Sequence, residues 1–144
     1  MNLLLERLVP LVNTERSILK ALKENAAITI SRLGLACVED VSPHLHYFLD
    51  QWCALLGPIR DNSEKESAFL GMCVMLKQNP NGIGNSLARF CEAVSRFNKP
   101  SASLNSELES VLKGYKAMAG DKWNAFYGAL PPFVRQRLTE RYSL

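Results

Sequence analysis

Apolar positions recur at helical spacing along almost the whole chain. Leu45, Phe48, Leu49, Trp52, Leu56 and Ile59 follow the helical period of about 3.6 residues. So do Phe69, Met72, Cys73 and Leu76, then Ile83, Leu87, Phe90, Cys91, Val94 and Phe97, and finally Leu104, Leu108, Val111, Leu112 and Tyr115. No stretch alternates cleanly between apolar and polar, so the pattern predicts helices and no strands. Punctuation residues divide the helices. Ser42-Pro43 reads as a cap followed by proline in the first turn. Ser63 with Glu66 reads as a capping box. Asn79-Pro80-Asn81-Gly82 stops one helix, and Gly120-Asp121 separates two others. The resulting expectation is helices over 2–12, 15–36, 43–58, 63–78, 83–97, 104–119, 121–129 and 132–142. The connections are short, so sequential helices pack antiparallel.

The helix starts themselves repeat. From 43 to 83 is 40 residues, and from 63 to 104 is 41. Helix pairs recurring at about 40 residues are the signature of HEAT-type repeats. The fold expected is all-α: antiparallel helix pairs stacked as a superhelix, with residues 1–144 one domain of three to four repeats. A compact up-down bundle is the other arrangement open to so many short-linked helices.

Composition adds little to this, and charge adds more. At 144 residues with 47% hydrophobic and 22% charged positions, the chain is long enough to bury a core without a disulfide or metal. Its net charge is only +3, but residues 1–72 hold seven Lys/Arg against nine Asp/Glu, while residues 73–144 hold ten against five. Cys37, Cys53, Cys73 and Cys91 form no Cys-x-x-Cys pair, so zinc and dithiol chemistry lack their spacing. Glu6 and Arg7 interrupt the leucines at the start before a secretory core can form. Reduced, buried thiols in the cytoplasm or nucleus are expected. No apolar run approaches the ~18 residues of a membrane span.

Candidate chemistry is sparse. His44 and His46 stand two apart and point to different sides of a helix, too divergent to share a metal. Glu64/Glu66 and Glu107/Glu109 sit in first turns, where carboxylates complement the helix dipole. Asn81-Gly82-Ile83-Gly84 follows a helix and lacks a phosphate-binding lysine. No enzyme, cofactor or metal site is read from these residues. Lys113, Lys116, Lys122, Arg135, Arg137 and Arg141 make the C-terminal third basic. Glu109, Asp121 and Glu140 interrupt them, which reads as a solvated face rather than a nucleic-acid surface.

The helix at 15–36 is more informative. A helical wheel gathers Leu19, Leu22, Ala26, Ile30 and Leu33 on one side. Opposite them fall Ser17, Lys20, Glu24, Ile28, Ser31 and Leu35. Ile28 thus stands among polar residues. It either packs against an adjacent repeat or offers an apolar contact to an extended ligand.

Several collinear motifs resemble a known family. Glu24-Asn25-Ala26-Ala27-Ile28-Thr29-Ile30-Ser31-Arg32-Leu33-Gly34 is followed by Trp52-Cys53. Ile59-Arg60-Asp61-Asn62-Ser63-Glu64-Lys65-Glu66-Ser67-Ala68-Phe69 then leads to Gly71 and Cys73. Asn79-Pro80, Phe90-Cys91, Gly114-Tyr115-Lys116, Trp123, Pro131-Pro132 and Arg137-Leu138 complete the series. Together they resemble the C-terminal HEAT repeats of the transportin branch of the karyopherin-beta nuclear import receptors, over about residues 15 to 142.

That resemblance implies several things. The helices at 15–36, 63–78 and 104–119 would be inner, and those at 43–58 and 83–97 outer. Partners would be cargo proteins whose nuclear localisation signals carry a Pro-Tyr epitope and an upstream basic or hydrophobic segment. The cargo-facing surface would include Ile28, with Glu24 and Glu64 meeting basic residues. Ran GTPase and nucleoporins would bind only through a full-length receptor, which shuttles between cytoplasm and nucleus. Leu70 and Asn81 depart from the family pattern, which tends to Arg and Ser there. A HEAT-like scaffold without an import role is the alternative function. Leu3, Leu4, Leu8 and Leu11 on the first helix are expected to leave an apolar flank that favours self-association.

Overall fold

A computed structural model describes residues 3–15 and 19–144. Its α-helices are α1 (Leu3–Asn13), α2 (Lys20–Ala36), α3 (Val38–Val41), α4 (Leu49–Leu56), α5 (Ser63–Gln78), α6 (Leu87–Ser95), α7 (Ala102–Ala119), α8 (Trp123–Gly128) and α9 (Pro132–Tyr142). Tighter 3₁₀ turns cover Ser42–Tyr47, Pro80–Ile83 and Gly120–Lys122, and no strand occurs among the described residues.

Two layers organise these helices. α2, α5 and α7 pack side by side in one, with α1 against α2. α4, α6 and α9 pack side by side in the other. Each helix meets its neighbours in the stack rather than a common centre, which distinguishes a HEAT-repeat α-solenoid from an up-down bundle. The core between the layers is continuous from Leu5 to Tyr142.

α2 and α5 approach each other closely, and small residues make it possible. A Cβ on Gly71 would lie 2.3 Å from the Ser31 carbonyl oxygen, and one on Gly34 would lie 2.4 Å from the Met75 sulfur. Ser31, set among polar positions by the helical wheel, is therefore fully buried. It accepts a 2.7 Å hydrogen bond from Trp52 Nε1 and so ties α2 to the second layer. The middle of the side of α2 that reads as polar, at Ile28 and Ser31, is in fact packed, because small residues there admit a neighbouring helix, while Lys20 and Leu35 at its ends stay exposed.

Other differences from the sequence reading have local causes. The expected helix 43–58 is two pieces: a 3₁₀ turn follows directly on α3 with Pro43 in its first turn, and Phe48 (φ −134°) breaks the path before α4. The expected 83–97 likewise opens as a 3₁₀ turn and becomes α-helical only from Leu87. The cap of α5 is Asn62, which accepts from the Lys65 backbone N–H at 2.8 Å, rather than Ser63. Glu66, freed from the expected capping box, accepts from the Ser101 backbone N–H at 2.9 Å. In the expected helix 15–36, residues 16–18, including Ser17 of the wheel, lie outside the described residues, as do Met1 and Asn2. Leu19 precedes the helix, which starts at Lys20.

Lys65 is the feature the hydropathy pattern obscures. Its side chain is fully buried and donates to the Gly57 and Ile59 carbonyls at 3.0 and 2.8 Å. It lies 3.5 Å from Asp61 Oδ1 and 4.9 Å above the centre of the Phe97 ring. Burial lowers its pKa, and the Asp61 carboxylate opposes that shift. Asp61 in turn accepts from the backbone N–H groups of Asn98 and Lys99, at 3.3 and 2.8 Å. One buried ammonium thus holds its own interhelical turn closed and, through Asp61, the turn of the next pair.

Candidate functional site

The face that sequence reading nominates lies on the α2/α5/α7 layer. Glu24 and Ile28 are one helical turn apart on α2. Glu64 stands in the first turn of the neighbouring α5. The structure brings α2 and α5 together but gives the three residues different surroundings. Ile28 is 6% exposed and belongs to the core, so of its two readings the packed one describes its position. Glu24 is half-buried, 3.9 Å from Lys20. Glu64 is exposed, 3.8 Å from Arg32 across the α2–α5 seam. Screening leaves such exposed pairs weak, so both carboxylates remain available to an incoming cation.

Further along the layer, Lys77 at the end of α5 pairs with Glu107 of α7. Beyond that pair a cleft of about 210 Å³ opens between the two helices, lined mainly by Leu76, Pro80, Val111, Tyr115 and Met118. Tyr115 is held at its edge by donating to the Pro80 carbonyl at 2.8 Å, and burial raises its pKa. Met118 is 60% exposed, and Gly114 leaves open space where a side chain would stand. The cleft escaped sequence reading, although an exposed Met beside a helical glycine is a visible signal for it. The layer therefore combines exposed carboxylates near the N-terminal ends of α2 and α5 with an apolar recess at the C-terminal ends of α5 and α7.

Among the described residues no three His, Cys, Asp or Glu side chains are grouped to hold a metal. His44 and His46 both lie against the Tyr47 ring, 6.1 and 4.0 Å between centroids. Cys53, Cys73 and Cys91 are buried, and desolvation pushes the thiols of Cys73 and Cys91 up to about 12 and that of Cys53 higher still. Thiols so shifted are unreactive near neutrality. No described helix is long and apolar enough to cross a membrane.

The basic C-terminal third is largely committed to holding the chain together. Arg135 donates to the Leu130 carbonyl at 3.1 Å, Arg137 to Ser95 at 2.7 Å, and Arg141 to Asn98 at 3.1 Å. These guanidiniums satisfy backbone carbonyls where helices end, a demand independent of any ligand.

No family model matches the chain. It is 38% identical over 143 residues to Transportin-1 of Mus musculus, which covers 99% of this chain and 16% of the relative. It is 41% identical over 133 residues to Transportin-1 of Oryza sativa subsp. japonica, covering 91% of this chain and 15% of that protein. Importin subunit beta-2 of Schizosaccharomyces pombe is 37% identical over 124 residues, 85% of this chain and 14% of its own length. The chain thus spans about a sixth of the length of the curated relatives it matches.

Proposed function

From a chain homologous to transportins over nearly its whole length, we propose a HEAT-repeat segment of a transportin-like nuclear import receptor, corresponding to its C-terminal repeats. In this reading residues 1–144 are one run of three to four repeats that works in the cytoplasm and nucleus by non-covalent binding. The α2/α5/α7 layer receives the extended localisation signal of a cargo protein, of the Pro-Tyr type. Ran GTPase and nucleoporins act on the receptor as a whole. The observation that carries the proposal is the identity to transportins, maintained over 99% of the chain.

Glu24 and Glu64 then meet the basic residues upstream of the Pro-Tyr epitope. Ile28 contributes as the floor between them, through the outer edge of a side chain otherwise in the core. Its burial makes Ile28→Asp a poor probe, since a buried charge would damage the fold before it reported on binding. Exposed charges are the better test. A labelled Pro-Tyr-type signal peptide is titrated against the wild-type chain and the double variant Glu24→Lys/Glu64→Lys, reading anisotropy. Saturable binding that weakens by about tenfold in the double variant, on the order of 1.4 kcal/mol, is expected. Equal binding by both proteins would remove the carboxylates from the site. Absence of binding to the folded wild-type chain would favour a scaffold without cargo contacts of its own.

A further inference from the structure

A second surface lies on the opposite layer and has the opposite charge. The α4–α5 turn, the C-terminal end of α6 and the first turns of α9 enclose a cleft of about 530 Å³. Arg60, Arg96 and Arg137 line it with Ile59, Asn98 and Phe133, and no carboxylate is among its lining residues. Phe133 is 46% exposed, which is unusual for a phenylalanine in a packed helical protein.

The three guanidiniums are differently committed. Arg137 is anchored by the Ser95 carbonyl and, at 3.3 Å, by Asn98 Oδ1, so it has a structural task. Arg96 pairs with Glu92 at 3.0 Å, one helical turn away on an exposed surface. Arg60 is exposed and makes no hydrogen bond or ion pair among the described residues. Its sequence neighbour Asp61 is already engaged by Lys65 and by the Asn98 and Lys99 backbone N–H groups. Glu92 offsets Arg96 alone, so the charges of Arg60 and Arg137 face the cleft without a carboxylate partner. A smaller cleft shares Pro58 and Arg96 with this one and continues past Glu92 and Arg89 along the α4–α6 seam, so an extended ligand has a path out of the recess on that side.

We propose that this cleft docks an acidic peptide segment, its carboxylates meeting Arg60, Arg96 and Arg137 and an apolar side chain covering Phe133. Charge complementarity selects that occupant. A concave recess with three guanidiniums and no lining carboxylate favours anions. The planar fork of arginine suits carboxylates. The exposed ring favours a peptide carrying an apolar residue over a featureless anion. A basic localisation signal is repelled here, so this site and the proposed cargo layer take opposite ligands, and one can fail without the other.

The test titrates the 144-residue chain into a fluorescein-labelled peptide of alternating Glu and Asp around a central Leu, at low and physiological salt. Arg60→Glu is expected to weaken binding by about tenfold, and Phe133→Ala by a few-fold. Lys122→Glu, an equal charge reversal at an exposed position outside the cleft, is expected to change it by less than about twofold. Melting curves that match the wild type confirm that the variants are folded. Three results would overturn the proposal: no saturable binding at low salt, a loss in Lys122→Glu equal to that in Arg60→Glu, or displacement by a single-stranded oligonucleotide of equal charge at lower concentration than by unlabelled peptide. The last would assign the cleft to nucleic acid.

Discussion

The centre of the stack and its N-terminal flank are built from the same kinds of residue and treat them oppositely. α5 has neighbours on both sides, and Ala68, Phe69, Met72, Cys73, Met75 and Leu76 are all buried along it. Its lysine is buried too. At the flank, Leu3 is 68% exposed, Leu19 79%, and Leu4 and Leu22 each 45%. Leucine spacing alone does not decide burial in a stacked fold. What decides it is whether a neighbouring helix packs on the stripe.

The largest effects should therefore come from the centre. Truncating Phe69, which packs on Trp52 and Phe97 at 4.9 and 5.2 Å between centroids, removes a ring shared by both layers. Phe69→Ala is expected to cost about 3–5 kcal/mol, seen as a lower denaturant midpoint. Lys65→Ala follows, at roughly 3 kcal/mol, because the Gly57 and Ile59 carbonyls lose their buried donor. Lys65→Met, which keeps most of the volume, should lose less; equal losses would show that hydrogen bonding rather than volume holds the turn. Gly71→Ala should cost roughly 1–3 kcal/mol, because the new methyl group collides with the Ser31 carbonyl and forces α2 from α5.

The flank should respond in the other direction. Leu3→Lys with Leu19→Lys is expected to change stability by no more than about 0.5 kcal/mol. It should also reduce self-association in sedimentation velocity across a concentration series. A wild-type chain that sediments as a monomer throughout would end the expectation of self-association and leave the contrast as one of stability alone.

Alkali gives a weaker test that again separates core from surface. The Cys73 and Cys91 thiols are raised from 9.0 to about 12 by burial. Such groups contribute stability that is complete below the unfolded value and lost as pH rises through the folded one. Lys65, whose pKa is lowered, works in the opposite sense, since deprotonation relieves its desolvation. The thiols outnumber it, so the urea midpoint should fall above about pH 9. Replacing both with Ala at a cost in stability should flatten that fall.

Much of this architecture was legible in the residues. The period near forty residues separated two kinds of helix, and α5, α7 and α9 lie within two residues of their expected limits. The break at Phe48 was not legible, because Leu45, Phe48, Leu49 and Trp52 keep helical spacing whether or not the backbone between them is regular. Ser31 was misread for a related reason: a wheel scores polarity, whereas α5 needed a small side chain there. Lys65 carried a signal that charge concealed. It shares a helical face with Phe69, Met72 and Leu76, the face that must be buried. The exposure of the candidate residues was not legible, since Glu64 stands open to solvent while Ile28 on the neighbouring helix does not.

The stitches between successive turns have a mechanical consequence. Along the edge that carries the α4–α5 and α6–α7 turns they are ionic: Lys65, Asp61, Glu66, Arg137 and Arg141. Along the edge at the other ends of those helices they are mixed: the Asn79 amide on Ser42 and the Tyr115 hydroxyl on Pro80 are neutral, while Asp50 forms an exposed ion pair with Arg89 at 3.4 Å. A ribbon whose two margins respond differently to the same stimulus bends, as a strip of two bonded metals does on warming. Concentrated salt screens the exposed Asp50–Arg89 pair more than the buried Lys65–Asp61 pair, so the pitch of the whole ribbon becomes a function of its ionic surroundings.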